Sequence, residues 1–333
     1  MIFSEIAGHR REKEILEKAL LSHRVAHAYL FSGPPGTGKK TLAMAFARAL
    51  NCTEAEAGYC GLCRDCAAID KHSHENVMEV VPEDKDDVPS SSGVIKIARV
   101  REVIKALHFT TRAGRKVVIV DDAHRFQSQA ANAMLKTLEE PPEGAVIILV
   151  SSMARSLLPT IVSRCQLLNF RPLKADVVEE FLVRTKGLTP VDAAAAARFS
   201  DGAISRAIKY SSSAALEKRR EILENLANIS DHGERRLLDY AEVLSKDPEL
   251  QEILEFMKIW CRDVAMGREG LERLMVNSDL KGFIKSRAPL RAVLDTFEMI
   301  ESARSAIGPP RYGNKRLAME VMLMGMMDKG VLI

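Results

Sequence analysis

Apolar residues recur along this chain in two rhythms, and the change from one to the other divides it. Over the first 170 residues, short apolar runs alternate with stretches of helical spacing. The runs are HAYLFSG (27–33), ENVMEVV (75–81), KVVIVDD (116–122) and AVIILVSS (145–152). REKEILEKALLS (11–22) precedes them, and between them lie TLAMAFARALNC (41–52), Val100–Leu107 and SQAANAMLKTLEE (128–140), the last stopping at Pro141 and Pro142. A short apolar run bounded by turns predicts a buried strand, and apolar positions three and four apart predict a helix. Their alternation predicts an α/β domain whose parallel sheet is covered by helices on both faces. The charged, turn-rich PEDKDDVPSSSG (82–93) reads as a surface loop.

Past Pro172 the strand rhythm disappears. Residues 173–210 read as a small helical unit around VDAAAAARF, and longer helices rich in Leu and Met follow from Leu216. The expected boundaries are therefore 1–170, 171–212 and 213–333.

Composition refines this picture only slightly. Apolar residues make up 47% of 333, enough for a core in each of two or three domains. The net charge of +3 does not mark a strongly basic nucleic-acid binder, so any DNA contact must come from local patches or partner chains. No stretch approaches the roughly 20 apolar residues that cross a bilayer. The segment MIFSEIAGHRREKEI carries charges where a signal peptide has its apolar core, which predicts a cytoplasmic protein with no membrane partner.

Three clusters carry candidate chemistry. The first is Gly33-Pro34-Pro35-Gly36-Thr37-Gly38-Lys39-Lys40-Thr41, between a strand and a helix. Glycines let backbone amides turn inward around a polyphosphate, the helix N-terminus adds its dipole, and Lys39 reaches the terminal phosphates. ATP or ADP is the expected ligand. Magnesium is in question, because the residue after the loop lysine is normally Ser or Thr and here is Lys40. Thr41 stands about 100° further round the helix.

The second cluster is the end of KVVIVDD. Asp121 stands at the carboxyl end of a strand, where such sheets bind ligands, and reads as the magnesium-side carboxylate. Asp122 occupies the position of a catalytic base that would polarise water, but one methylene short of a glutamate.

The third is Cys52, Cys60, Cys63 and Cys66, spaced C-x7-C-x2-C-x2-C. Four thiolates close a tetrahedral shell with no open position, which means structure and not catalysis. The ligands alone would also suit an iron–sulfur cluster. Zinc is preferred, because nothing else in the chain suggests redox work. His72 and His74 are expected to face solvent, while Cys165 and Cys261 stand apart.

These motifs, in this order, together with LLPTIVSRCQLLNFRPL (157–173) and GNKRLAMEVMLMGMM (313–327), resemble the clamp-loader branch of the AAA+ ATPases. The match extends over most of the chain and is to subunits of bacterial DNA polymerase III clamp loaders, on the delta-prime side of that family. The gamma/tau motor subunits usually carry GKT or GKS and an acidic pair ending in glutamate, where this chain has GKK and Asp-Asp.

The resemblance implies a P-loop AAA+ domain (1–170) with the cysteine module (52–66) inserted, a helical lid (171–212) and a helical collar (213–333). It implies that Arg164 is an arginine finger acting in trans on a neighbour's ATP. Ser152, with Ser151 before it, matches a polar sensor, and Arg206 in GAISRAI matches a second sensor. The partners implied are gamma/tau and delta subunits, the sliding clamp and primer–template DNA, the chain's own ATPase being weak or absent. The alternative is a gamma/tau-type motor that itself hydrolyses ATP.

Overall fold

The computed structural model describes residues 2–55, 58–90, 93–109, 114–228, 233–277, 282, 288–308 and 313–332. The chain divides into two compact units, residues 1–181 with 201–205, and residues 182–200 with 206–333.

The first unit runs α1 (Arg10–Leu21), β1 (Ala28–Ser32), α2 (Lys39–Asn51), α3 (Arg64–Asp70), β2 (Val77–Val80), α4 (Ile97–Leu107), β3 (Val117–Val120), α5 (Ser128–Glu139), β4 (Val146–Ser151), α6 (Pro159–Val162) and β5 (Gln166–Asn169), then enters α7 (Ala175–Lys186). Five parallel strands stand in the order β2-β3-β4-β1-β5. Because side chains alternate across a strand, each of the central strands β1, β3 and β4 feeds two cores. Tyr29, Phe31, Val117, Ile119, Ile148 and Leu168 pack with Leu42 and Phe46 of α2 on one face. On the other face Leu30, Val118, Val120, Ile147 and Leu149 pack with Val100 and Val103 of α4 and Met134 of α5. The apolar runs are continuous for this reason: both faces are dry.

In the first unit β5, α3 and the single turn α6 escaped the sequence reading. QLLN forms β5 at the sheet edge, where only Leu168 is buried, so its pattern lacks the dense apolar signal of the central strands. Within the cysteine segment a short helix, α3, begins at a cysteine cap: the Cys63 sulfur accepts the Cys66 N–H. The loop at 82–93 folds back through bridges from Glu83 to Pro89 and Val94. Its Ser91 and Ser92 lie outside the described residues.

The second unit is helical among the described residues: α8 (Pro190–Phe199), α9 (Ile204–Tyr210, from Arg206 onward), α10 (Ser213–Asn228), α11 (Gly233–Lys246), α12 (Leu250–Arg268), α13 (Leu290–Ile307) and α14 (Lys315–Asp328), with the end of α7. Its core includes Trp260, Met257, Leu254, Ile300, Met319 and Leu323. Asp263 is fully buried and accepts the N–H groups of Val276 (2.8 Å) and Asn277 (2.7 Å) and the Asn277 amide (2.6 Å), which ties down the chain beyond α12. No helix among the described residues is long and apolar enough to cross a membrane.

Candidate functional site

The carboxyl ends of β1, β3 and β4 lie side by side, and the loop 33–38 rises from the first of them into α2. The Gly33 N–H donates to the Ser151 carbonyl of β4 (3.2 Å), fixing the loop's base to the sheet. A Cβ on Gly33 would fall 2.1 Å from the Phe170 carbonyl oxygen, so only glycine allows this approach. Gly38 caps α2 at φ +93°, a left-handed conformation that glycine adopts without strain. Pro34 and Pro35 are exposed, and Gly36 accepts the Ser205 N–H at 3.1 Å.

Lys39 is buried and folds back on the loop, donating to the Gly33 carbonyl (2.7 Å) and the Pro34 carbonyl (2.6 Å). Burial holds its ammonium below the usual lysine range, against the attraction of Asp121 and Asp122. The Thr37 hydroxyl donates to Pro34 (3.0 Å). His9 touches the Thr37 carbonyl through Nε2 at 2.6 Å, so that nitrogen carries the hydrogen and donates. Burial outweighs this bond and depresses the His9 pKa, which keeps the ring neutral while it packs on Phe170 at 4.7 Å.

Lys40 points to the acidic side of the site. Its Nζ lies 2.9 Å from Glu79 Oε2 and 3.4 Å from Asp121 Oδ2. Burial opposes the Lys40 charge, but the two carboxylates together raise its pKa. The Glu79 carboxyl, disfavoured by burial, is nevertheless held low by Lys40 and by His72, which contacts its other oxygen. Asp121 Oδ1 accepts the Asp122 N–H at 3.1 Å. Asp122 adopts a left-handed backbone and lies 3.9 Å from His124 Nδ1. Thr41 is exposed.

The structure thus gathers Gly33–Lys40 with Asp121 at one end of the sheet. Ser151 is fully buried with its hydroxyl accepting the Met153 N–H (3.1 Å), and Ser152 is half-buried just past β4. Arg206 stands on α9 in the second unit. Arg164 sits apart from the phosphate loop's bonding partners, on the turn between α6 and β5. Its guanidinium pairs with Glu139 at the end of α5 (2.8 Å) and donates to the Thr160 carbonyl (2.9 Å). The neighbouring Cys165 packs, partly buried, against the core, and burial pushes its thiol up to about 12, which argues against a reactive thiolate.

The four cysteines converge. Their sulfurs all lie within 4.8 Å of one another, and Cys52 and Cys63 are 3.9 Å apart, near the roughly 3.8 Å edge of a tetrahedral zinc–thiolate shell. The Cys60 sulfur accepts the Leu62 N–H (3.4 Å) and the Cys63 N–H (3.2 Å), which draws its thiol down to about 7. Burial drives Cys66 the other way, to about 12. The donor set therefore fits a metal that can displace the Cys66 proton. The module is pinned to α2 by Arg48, which lies over the Tyr59 ring (4.7 Å) and pairs with Asp70 (3.3 Å). His72 is exposed as expected. His74 is not: its side chain is 7% exposed, lies 3.4 Å from Asp65 and accepts the Asn76 N–H (3.1 Å), so it braces the module from behind.

Sequence reasoning missed Glu79 and Glu139 as partners. Glu79 could have been found, since a carboxylate inside an apolar strand needs a cation. Glu139 carries no such signal in a helix end rich in charge.

The family model described as DNA polymerase III, delta subunit, matches residues 8–174. Subunit delta' of DNA polymerase III from Bacillus subtilis (strain 168) is 28% identical over 97% of this chain and 95% of its own length. Subunit tau of the same organism is 37% identical over 53% of the chain, and subunit gamma/tau of Mycoplasma pneumoniae 30% over 72%. The chain spans only 30% and 33% of the length of those two relatives. A solved structure of a DNA polymerase III gamma subunit-related protein from Thermotoga maritima aligns over 96% of this chain and 98% of its own, at 21% identity with a TM-score of 0.47.

Proposed function

Because the chain belongs to the DNA polymerase III delta-subunit family, we propose that it is a clamp-loader subunit of the delta-prime kind, which helps load a sliding clamp onto primed DNA in the cytoplasm. In this reading its ring partners are gamma/tau and delta subunits. DNA is met through phosphates without sequence readout. Residues 171–212 act as lid and 213–333 as collar, and the cysteines hold a structural zinc.

Arg164 carries the reading. It stands on a turn with its guanidinium one-third exposed, held among the described residues by Glu139 and by backbone and hydroxyl oxygens of its own turn. A partly exposed ion pair of this kind is worth about 0.2–1 kcal/mol. A neighbour's polyphosphate offers a bidentate, more highly charged partner, so exchanging Glu139 for it is favourable. The guanidinium would then stabilise charge on the transferred phosphoryl group in the neighbour's site. Weak or absent ATPase in the chain itself is supported by Lys40 and Asp122. Lys39 and Asp121 favour the motor alternative, but Asp121 is already engaged by Lys40.

Arg164→Ala is expected to leave the subunit folded and to lower DNA-stimulated ATPase of the reconstituted complex, by up to about 10³-fold at the site it serves. Unchanged ATPase, with the complex assembled to the same extent, removes Arg164 from the mechanism.

A further inference from the structure

Phosphate-loop sites ordinarily bind magnesium through the hydroxyl after the loop lysine and through the acidic strand end, and this site does not fit that ion. The hydroxyl position is Lys40, and the adjacent Thr41 is exposed. One oxygen of Asp121 accepts the Asp122 N–H, and the other faces the Lys40 ammonium at 3.4 Å. Magnesium needs near-octahedral oxygen ligands at about 2.1 Å. Bound at Asp121 it would press against a like charge with one protein ligand missing.

The arrangement is built rather than incidental. Glu79 lies on β2, paired in register beside β3, and the Asp121 N–H donates to the Val80 carbonyl at 2.8 Å. Glu79 and Asp121 therefore stand at the same sheet end as the loop. The Glu79 side chain is only 16% exposed, a burial that a carboxylate tolerates only with a cation, and Lys40 supplies it at 2.9 Å. Lys40 itself belongs to the first turn of α2, next to the amides that would cradle phosphate.

We propose that the Lys40 ammonium is this chain's own replacement for the divalent cation, so that the loop holds a nucleoside di- or triphosphate without metal. An ammonium has three N–H donors. Glu79 and Asp121 take two, which leaves one for a phosphate oxygen on the side opposite the carboxylates. Lys39 turns from its loop carbonyls to the terminal phosphate, and Lys40 meets the phosphate nearer the acidic strand. A monovalent ammonium neutralises and positions the polyphosphate but supplies no Lewis acid to the leaving oxygens. The site is thus a holding site, with nucleotide as a structural ligand of this subunit.

The inference rests on the weak or absent ATPase in the proposed function, and on residues 33–40 as a phosphate loop, and not on Arg164. It is tested by calorimetric titration of the purified full chain with ADP and with ATP, in magnesium chloride and in EDTA. Affinity is expected to agree within about twofold between the two conditions, a difference well below the 1.4 kcal/mol of a tenfold change. Lys40→Thr, which restores the hydroxyl, is expected to make affinity depend on magnesium by about tenfold or more. Lys40→Met, which keeps the length and removes the charge, is expected to weaken binding in both conditions, with circular dichroism and Tm checking that each variant is folded. Magnesium-dependent binding by the unmodified chain overturns the proposal. So does the absence of binding in both conditions, which would make the Glu79–Lys40–Asp121 cluster a plug. A chain that binds no nucleotide, yet whose Arg164→Ala variant still depresses ATPase of the complex, keeps its proposed role and loses only this inference.

Discussion

The cysteine module and the phosphate-loop end are both sites where several groups that lose protons crowd together, and they meet the resulting cost in opposite ways. In the module, four sulfurs stand within 4.8 Å, and the N–H groups on Cys52, Cys60 and Cys63 come from the backbone. Backbone dipoles suffice to hold down one thiol, Cys60, but not the buried Cys66. At the sheet end Glu79 and Asp121 are matched by an internal ammonium. In the proposed reading the first arrangement takes an external cation, whereas the second carries its own. A metal requirement, on this reading, is a property of one cluster and not of the other.

The comparison breaks most visibly at the module. Stripping metal with a strong chelator at neutral pH, or Cys66→Ser, should unfold residues 52–66, because the cage replaces a core that about fifteen residues cannot build. Loss of about 3–5 kcal/mol corresponds to a fall in Tm of about 10 °C in the first unit. Elemental analysis should find one zinc per chain, absent from Cys66→Ser. A chain purified without any metal and with unchanged Tm after chelation would make the cysteines a thiol cluster and dissolve the contrast.

A smaller effect sharpens the other side. Glu79→Gln keeps shape but leaves Lys40 with Asp121 alone and His72 without its carboxylate. The cluster is partly solvated, so the cost should be near 1 kcal/mol, read as a drop in Tm of about 2–4 °C. That drop should be the same in EDTA and in magnesium. A loss that magnesium restores would mean that a divalent cation can occupy the place of Lys40.

The sheet was legible because β1, β3 and β4 are buried on both faces and so spell unbroken apolar runs. Edge strand β5 was not, since three of its four residues face water. The phosphate loop and the cysteine cage were legible because each is local, its chemistry compressed into a few consecutive positions. What connects distant positions was hidden. The Lys40–Glu79 pair spans strands and a helix far apart in sequence, and nothing near Lys40 announces it. The burial of His74 likewise depends on α3, a helix whose seven residues are too few for a periodic signal.

His9 is another such distant contact, and its effect is the smallest expected. Its ring is held neutral, with Nε2–H donating to Thr37, and its folded pKa lies below the ordinary 6.5 because burial penalises the charged form. The unfolded chain therefore takes up the proton first as pH falls. The stability contributed by the neutral ring is fully present above about 6.5 and is lost as pH drops from there toward the folded pKa, by at most about 1.4 kcal/mol for each pH unit in that window. His9→Gln can keep an N–H donor toward Thr37 and does not titrate. Thermal melts of the two proteins between pH 7.5 and 5.5 should diverge toward acid, the unmodified chain losing more stability. Parallel melts would mean that His9 takes up its proton without disturbing the loop.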